Sequence, residues 1–515
     1  MKDQNRPAPV LRKHEGRGTP ASAGAGLPLR RQGDEGRGRP SPIIHHPSLQ
    51  NALSRRDFMA SAAAMAAFSI VPRYVLGGPG KIPPSEKINL AFIGTGGQGI
   101  VNMKKLLNFP EIQVVAVCDV NKLSDYSEFY FGGTAGSQPA RQIAEQFYAE
   151  KKPSGKYKGV DTYVDFRQML QERKDIDAVL VATPDHVHAV ASMTAMKMGK
   201  HVYCEKPLTN TVYESRKLGE AAQQYKVASQ MGNQGQASEG TRLMCEWIWD
   251  GAIGPVRQVY AWTDRPGGRW PQGVERPKET PSVPETLDWD KWLCVAPYRP
   301  YHPIYLPFRW RGWCDFGTGS LGDMGCHVLD PVFRALKLGH PTSVRAESTS
   351  FNHDSYPSAS TVYYEFPARG DMPPVELTWY DGGRLPERPE ELEAGRKMPE
   401  SGTIFVGDKG KIITDEYSGA PRIIPESKMQ AYKRPPKTLP RSPGHHEEWI
   451  RACKGGEPAG SNFVFASFLT EVVLLGNVAL YAGKKLYWDG PNMNITNVPE
   501  ANAYLHRSYP EEWML

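Results

Sequence analysis

The chain is short of cysteine. Its 515 residues hold seven, at positions 118, 204, 245, 294, 314, 326 and 453, an odd and widely spaced set. That spacing forms neither a metal motif nor an obvious disulfide framework, so buried thiols and folding in a reducing compartment are expected. Charge of one sign is also scarce once the N-terminus is set apart. Residues 1–56 carry eleven Lys/Arg against four Asp/Glu, while the whole chain is +6, which leaves −1 for residues 57–515. A near-neutral folded part excludes a nucleic-acid surface. Membrane-spanning runs are not expected either. The stretch Ala60–Val71 is shorter than the roughly 20 residues a membrane span needs. No internal repeat is present, and at 40% hydrophobic residues the chain can bury two ordinary domains.

What is present begins with Lys87-Ile88-Asn89-Leu90-Ala91-Phe92-Ile93, an apolar run of strand length. Gly94-Thr95-Gly96-Gly97-Gln98-Gly99 follows, and then the helical pattern Ile100, Met103, Leu106, Leu107. This is G-x-G-x-x-G between a strand and a helix, where glycine lets the backbone turn tightly and approach a pyrophosphate. The phosphates then meet the free N–H groups of a helix N-terminus. A second strand, Gln113–Cys118, ends in Asp119. A carboxylate there accepts hydrogen bonds from a ribose 2′-hydroxyl and repels a 2′-phosphate, so NAD is favoured over NADP.

A third apolar run, Ile176–Ala182, leads into Thr183-Pro184, read as N-cap and first helical residue. Both are expected near the nicotinamide end of the cofactor, with His186 and His188 serving packing. His201-Val202-Tyr203 then delivers Cys204-Glu205-Lys206-Pro207 to the carboxyl end of the sheet. Ligands gather at that end, so Glu205 and Lys206 are placed to meet cofactor and substrate together. Further on, Gly317–Gly322 reads as a flexible lead-in, and Asp323 as the start of a helix running towards Leu338. Asp323 and His327 are four residues apart, hence neighbours on one helical face. Oxidising a secondary alcohol needs a group to take the hydroxyl proton as hydride leaves carbon. Histidine does this near neutrality, and an adjacent carboxylate fixes its tautomer. Lys206 can hold the same hydroxyl and stabilise developing alkoxide charge. Asp330, one turn on, is a candidate contact to substrate or to His327.

Gly94–Gly99, Asp119, Thr183-Pro184, Glu205-Lys206-Pro207 and Gly322–His327 together resemble the Gfo/Idh/MocA family of glucose–fructose oxidoreductase and inositol dehydrogenase. The resemblance runs from about Ser85 to the C-terminus. It implies an α/β Rossmann domain with a doubly wound parallel sheet over 85–208. An α+β domain with an open, mainly antiparallel sheet over 209–515 would bind substrate and form a homo-oligomer. It implies Lys206, Asp323 and His327 as catalytic residues. It also brings in relatives that cleave glycosides by NAD-dependent oxidation, elimination and reduction, for which Tyr301, His302 and Tyr305 are candidate additional acid/bases.

In the second region a helix is expected over Glu214–Gln224, a strand over Val227–Met231, and a polar turn with Asn233 facing the cofactor. A helix over Glu239–Trp249 and strands over Val256–Thr263, Ser360–Phe366, Val375–Tyr380 and Thr403–Val406 follow. Six of the twelve tryptophans (262, 270, 289, 292, 310, 313) lie in one Pro-rich stretch, interleaved with arginines 265, 269, 309 and 311. Flat aromatic faces with polar neighbours suit sugar rings, or else form the core of the loop itself. Arg311 and Trp313 are the chosen pocket residues. Adjacent His445 and His446 diverge by about 100° on a helix and are not expected to bind metal. The loop Gly460-Ser461-Asn462 is read as closing over the pocket.

Residues 1–53 are rich in Gly, Pro, Arg and Ser and are expected to be disordered. Ser54-Arg55-Arg56-Asp57-Phe58-Met59 and the apolar run after it resemble a twin-arginine export signal over 54–80. This implies passage through the twin-arginine export machinery in folded form to the periplasm, with a tether by an uncleaved signal as the alternative. Free NAD is not expected there, so the cofactor should stay bound.

Overall fold

The computed structural model describes residues 82–513. The extension expected over 1–53 and the twin-arginine segment over 54–80 lie outside them. Six strands form a wholly parallel sheet: β1 (Ile88–Ile93), β2 (Ile112–Cys118), β5 (Asp161–Tyr163), β6 (Ala178–Val181), β7 (His201–Cys204) and β8 (Ser229–Met231), in the order β5-β2-β1-β6-β7-β8. β3 (Ser124–Asp125) and β4 (Thr134–Ala135) make a small antiparallel hairpin inserted after β2. Helices α1 (Gly97–Leu106), α2 (Ser137–Glu150), α3 (Phe166–Glu172), α4 (Asp185–Lys197) and α5 (Val212–Tyr225) connect the strands. The strand order reverses between β1 and β6, which opens a ligand crevice at their carboxyl ends. Both faces of the sheet are covered, and β1, β2 and β6 are buried almost throughout. That is why they read as unbroken apolar runs.

Two glycines make this geometry possible. Gly94 has φ +87°, and a Cβ on it would lie 2.7 Å from the Ala182 backbone. A Cβ on Gly99 would lie 2.4 Å from the Gly94 carbonyl oxygen. The loop therefore folds onto itself only with hydrogen at both positions.

The parallel sheet runs past residue 208, the expected domain boundary, because β8 still pairs with β7. Thr183 does not cap α4. The helix starts at Asp185 with Pro184 at the N-cap, no side chain bonds to the free N–H groups, and the Thr183 Oγ1 is buried without a partner.

The second sheet has nine strands: β9 (Val256–Trp262), β10 (Ser343–Ser348), β11 (Ser360–Phe366), β12 (Val375–Tyr380), β13 (Gly402–Gly407), β14 (Gly410–Asp415), β15 (Arg422–Ile424), β16 (Leu486–Asp489) and β17 (Asn494–Ile495). Their order is β15-β14-β13-β9-β12-β11-β10-β16-β17, antiparallel at every pairing but β9 with β12. α6 (Glu239–Trp249), α7 (Gly319–Val328), α8 (Asp330–Leu336) and α10 (Phe463–Ala482) accompany it, α10 lying directly on β10 and β11, whereas α9 (His445–Cys453) packs on β8 of the parallel sheet. This is the α+β partner expected of the second region.

The Gly-rich stretch before Asp323 is helix rather than a flexible lead-in. α7 begins at Gly319 after Thr318, so Asp323 lies inside the helix and is not its N-cap, and Leu329 separates α7 from α8. Its glycines serve close packing. A Cβ on Gly325 would sit 2.9 Å from Val473 of α10, and one on Gly476 of α10 would sit 2.4 Å from Leu321.

α10 is the one helix among the described residues long and apolar enough to cross a membrane, with a mean hydropathy of 2.0 in its most apolar window, yet 83% of that window is buried within the fold. It lies against α5 and α7, as the central helix of the core. Asn462 caps it, accepting from the Val464 and Phe465 N–H groups. Gly460 N–H donates to Glu448 and Ser461 N–H to Gln230. The Gly460–Asn462 loop thus anchors α10 and does not cover a pocket. α9 brings His446 against the Tyr203 ring, stacked at 5.5 Å, and buries Trp449 completely. All seven cysteines are unpaired.

Candidate active site

A cavity of about 820 Å³ opens at the crevice and is lined by both domains. Its first half is the glycine loop. Gly94, Gly96, Gly97 and Gln98 face it, while Thr95 and Gly99 stand just behind. Asp119 lies opposite. Its Oδ2 accepts from Thr95 N–H at 2.7 Å and Thr95 Oγ1 at 3.1 Å, and its Oδ1 accepts from Asn121 N–H at 2.8 Å. Burial raises this carboxyl above its ordinary range against the pull of those bonds. The donor set fits a dinucleotide. A backbone cradle that no Cβ can enter faces a helix N-terminus, and an anchored carboxylate keeps free lone pairs for a ribose.

Thr183 and Pro184 line the next stretch of wall, with Glu205 and Lys206 beyond. Glu205 turns away from the substrate side. Its Oε1 accepts from Asn102 Nδ2 at 2.7 Å, and Asn102 Oδ1 lies 3.2 Å from His446 Nε2. Burial raises the Glu205 carboxyl as well. A Cβ on Gly232 would lie 2.4 Å from Glu205, so this glycine makes room for it.

Lys206 Nζ donates to Asp323 twice, to Oδ1 at 2.8 Å and to the main-chain oxygen at 2.7 Å. Arg311 Nε donates to the same Oδ1 at 3.0 Å, and its guanidinium lies between the rings of Phe308 and Trp310, at 4.2 and 4.3 Å. Burial alone would raise the Asp323 carboxyl. Lys206 and Arg311 outweigh it and hold the group far below the usual carboxylate range. An ammonium has three N–H donors, so one on Lys206 is left for a ligand.

His327 shares the cavity wall with Asp323, as the four-residue spacing requires. The expected Asp–His pair is absent, however. Asp323 Oδ1 is committed to Lys206 and Arg311, and the buried His327 Nδ1 has no hydrogen-bond partner. Burial, aided by the Lys206 charge, lowers the imidazole to about 3. It is therefore a neutral base, with Nε2 left for the cavity. The Tyr417 ring stands edge-on to it at 5.0 Å.

Other sequence-selected residues lie elsewhere. Trp313 is fully buried behind the wall, 5.0 Å from the Tyr305 ring, in a cluster with Trp289, Trp292 and Phe316. A Pro-rich segment with one five-residue helix (Trp289–Leu293) and one 3-10 turn (Arg309–Gly312) builds its own core from these rings, and Trp270, Trp292 and Trp310 supply the cavity faces. Asn233 is off the wall. Its amide donates to Asp330 at 3.0 Å, and Asp330 is in turn held by Arg334. Asp330 thus contacts neither His327 nor the cavity. Tyr301, His302 and Tyr305 are also outside the lining. His188 sits between the carbonyl oxygens of Pro207 and Thr183, at 2.8 and 2.9 Å, which ties together the loops carrying Lys206 and Pro184. His186 is held likewise by Phe316 and Trp292.

Wall residues that escaped the sequence reading include Asp185, Tyr126 and Tyr130. Asp185 accepts from Thr318 Oγ1 at 2.6 Å, and burial pushes its carboxyl up to about 7. Tyr126 and Tyr130 come from the β3–β4 hairpin. The run Tyr126-Ser127-Glu128-Phe129-Tyr130-Phe131, too aromatic for an ordinary solvated loop, was a signal for the last two. Among the described residues no cluster of His, Cys, Asp and Glu could hold a metal ion.

Comparison with known proteins agrees with this division. Residues 88–233 match the family model "Oxidoreductase family, NAD-binding Rossmann fold", and residues 269–515 match "Oxidoreductase family, C-terminal alpha/beta domain". A glycosyl hydrolase family 109 protein of Stenotrophomonas maltophilia is 34% identical over 154 residues, 30% of each chain. Levoglucosan dehydrogenase of Pseudarthrobacter phenanthrenivorans is 26% identical over 166 residues, 32% of this chain and 34% of that one. The matched part thus spans about a third of these curated relatives. The solved WlbA dehydrogenase from Bordetella pertussis, in complex with NADH and UDP-GlcNAcA, superposes with a TM-score of 0.51. It covers 78% of this chain and 99% of its own at 15% identity, a likeness of fold.

Proposed function

From the premise that the chain belongs to the Gfo/Idh/MocA oxidoreductase family, we propose that it is an exported NAD-dependent oxidoreductase acting on a secondary hydroxyl of a sugar, glycoside or polyol. The observation that carries this reading is the third, uncommitted donor of Lys206. Asp323 fixes the ammonium from two sides, and Arg311 fixes Asp323. The remaining N–H is free to hold a substrate hydroxyl oxygen and to stabilise it as charge develops. His327, neutral and on the same wall, takes the hydroxyl proton on Nε2. When bound, the nicotinamide supplies the hydride acceptor. Trp270 and Trp310 offer flat faces to the apolar side of a sugar ring.

Arg55-Arg56 with the apolar run after them supports export. An exported enzyme meets little free NAD, so we extend the proposal to a cofactor retained between turnovers. The open second sheet is the expected surface for self-association.

A redox-neutral glycoside hydrolase or lyase is the second reading, and two observations favour it. One relative is a glycosyl hydrolase family 109 protein. Asp185 also supplies the further acid/base that elimination needs, with a carboxyl at about 7 on the cavity wall. Oxidation of a ring hydroxyl to a ketone acidifies the neighbouring C–H, loss of that proton expels the aglycone and leaves an enone, water adds across the double bond in a hydrolase (a lyase omits this addition), and the ketone is reduced back. A binder without catalysis is the least favoured reading, since it would need no lysine held by a buried carboxylate beside a neutral histidine.

The test is the near-ultraviolet absorbance of NADH in purified protein mixed with a glycoside and polyol panel, with no NAD added. A lasting rise identifies a dehydrogenase. A transient rise with release of free sugar identifies the redox-neutral route. No change with any panel member, even after NAD is supplied, contradicts both.

A further inference from the structure

We propose that the segment from Asn121 to Gly136 is a strap that keeps the dinucleotide on the enzyme through turnover, with Tyr126 bonding its pyrophosphate. The proposal rests on the cavity being the NAD site.

The strap is the β3–β4 hairpin and its flanks, and both ends are fixed. Gly136 N–H donates to the Thr95 carbonyl at 2.9 Å, and Ser137 N–H to Asn121 at 3.1 Å. Lys122 N–H reaches across to Thr286 of the second domain at 2.8 Å. From this base the hairpin crosses the crevice. The Tyr126 ring lies on the glycine loop, where a Cβ on Gly97 would stand 3.3 Å from its edge and one on Gly96 2.6 Å from its hydroxyl. The Gly97 N–H faces that hydroxyl. This N–H opens α1 and is one of the donors a pyrophosphate takes at such a helix start. A phosphate oxygen on it would have the phenol as its neighbour, and the phenol can donate. Burial, with Asp119 nearby, pushes the Tyr126 phenol well above its ordinary range, so it keeps its proton.

The far side of the strap reaches the substrate end. Tyr130 Oη donates to Gln98 Oε1 at 3.0 Å. The rings of Phe129 and Tyr130 lie 5.0 and 5.7 Å from Phe308, the residue stacked on Arg311. Glu128 closes the contact through an ion pair with Arg309 at 3.0 Å. Tyr130 is 60% exposed, and the Glu128 side chain is 76% exposed. An exposed ion pair and two ring contacts hold this end shut yet leave it able to open. The strap thus spans the crevice from phosphate loop to reacting end, closing over both halves of a bound dinucleotide.

The experiment follows exchange of bound NAD for the fluorescent analogue 1,N6-etheno-NAD in the full chain. Wild type should keep its NAD through gel filtration and exchange slowly. Tyr126→Phe keeps the ring and removes only the hydroxyl, and should exchange at least tenfold faster. Glu128→Gln releases the tip and should raise the rate several-fold. An unchanged or slower rate in Tyr126→Phe would overturn the proposal, because the phenol would then compete with the pyrophosphate for Gly97. If Tyr126→Phe does not fold, an unchanged rate in Glu128→Gln overturns it alone. Failure of wild type to bind etheno-NAD at saturating concentration removes the dinucleotide site itself, a distinct result that takes the strap with it.

Discussion

The two halves of the cavity are built by different means. The cofactor half is backbone: a glycine loop, a helix start and one acid, all between Ile88 and Asp119. The substrate half is side chains from remote segments. Lys206 comes from the end of β7, Arg311 from the Trp-rich loop, Asp323 and His327 from α7, and Tyr417 from the turn after β14. Backbone sites depend on local conformation, whereas side-chain sites depend on how elements pack. Substitutions should therefore separate cofactor retention from turnover, according to which half they touch.

The largest effect is expected at Lys206. Lys206→Ala removes the donor that holds the substrate oxygen and leaves Asp323 with Arg311 alone. Turnover should fall about 10²–10⁴-fold, while the NAD content of the purified protein stays unchanged. Next comes the cofactor half. Asp119→Asn removes the charge that accepts from a ribose and repels a 2′-phosphate. A charge-assisted hydrogen bond contributes about 1.5–3 kcal/mol, so NAD should bind roughly ten- to a hundredfold more weakly. The preference over NADP should shrink, and titration with both cofactors reads this directly.

Arg311→Lys is expected to do less, about tenfold in kcat/KM. A lysine keeps the charge but neither the planar stack between Phe308 and Trp310 nor the fixed approach to Asp323. Trp313→Phe should leave KM alone and lower stability by about 1–3 kcal/mol, because the ring fills the loop's core and not the cavity. The smallest effect is on pH dependence. His327 is lowered by burial to about 3, so its basic form is complete above that value and is lost only as pH falls through it. Activity should hold between pH 7 and pH 5 as far as His327 decides it. An acid limb near 6.5 that disappears in His327→Ala would show the imidazole to be ordinary.

The same contrast explains what could be read from the chain alone. Gly94–Gly99 and Asp119 were legible because a tight loop between strand and helix needs those residues at those spacings. The parallel sheet was legible because strands buried on both faces read as apolar runs. Lys206, Asp323 and His327 could be chosen singly, but their connection could not. The carboxylate turned to Lys206 and Arg311 rather than to His327, and nothing local in the sequence sets that choice. Gly319, Gly322 and Gly325 looked like a flexible lead-in, yet they let α7 lie close to its neighbours. α10 is apolar all round and carries no helical periodicity, so it passed without being recognised as the central helix. Trp313 was misplaced because the rings of a Pro-rich loop face inward or outward according to a fold its local pattern does not encode.

The most direct test mixes NAD-loaded protein with a panel substrate and follows NADH formation in a single turnover, in wild type and Lys206→Met, with NAD content measured in both. The expected result is equal cofactor content and a rate about 10²–10⁴-fold lower in the variant. Equal rates in the two proteins would contradict the assignment of Lys206 to the reacting centre.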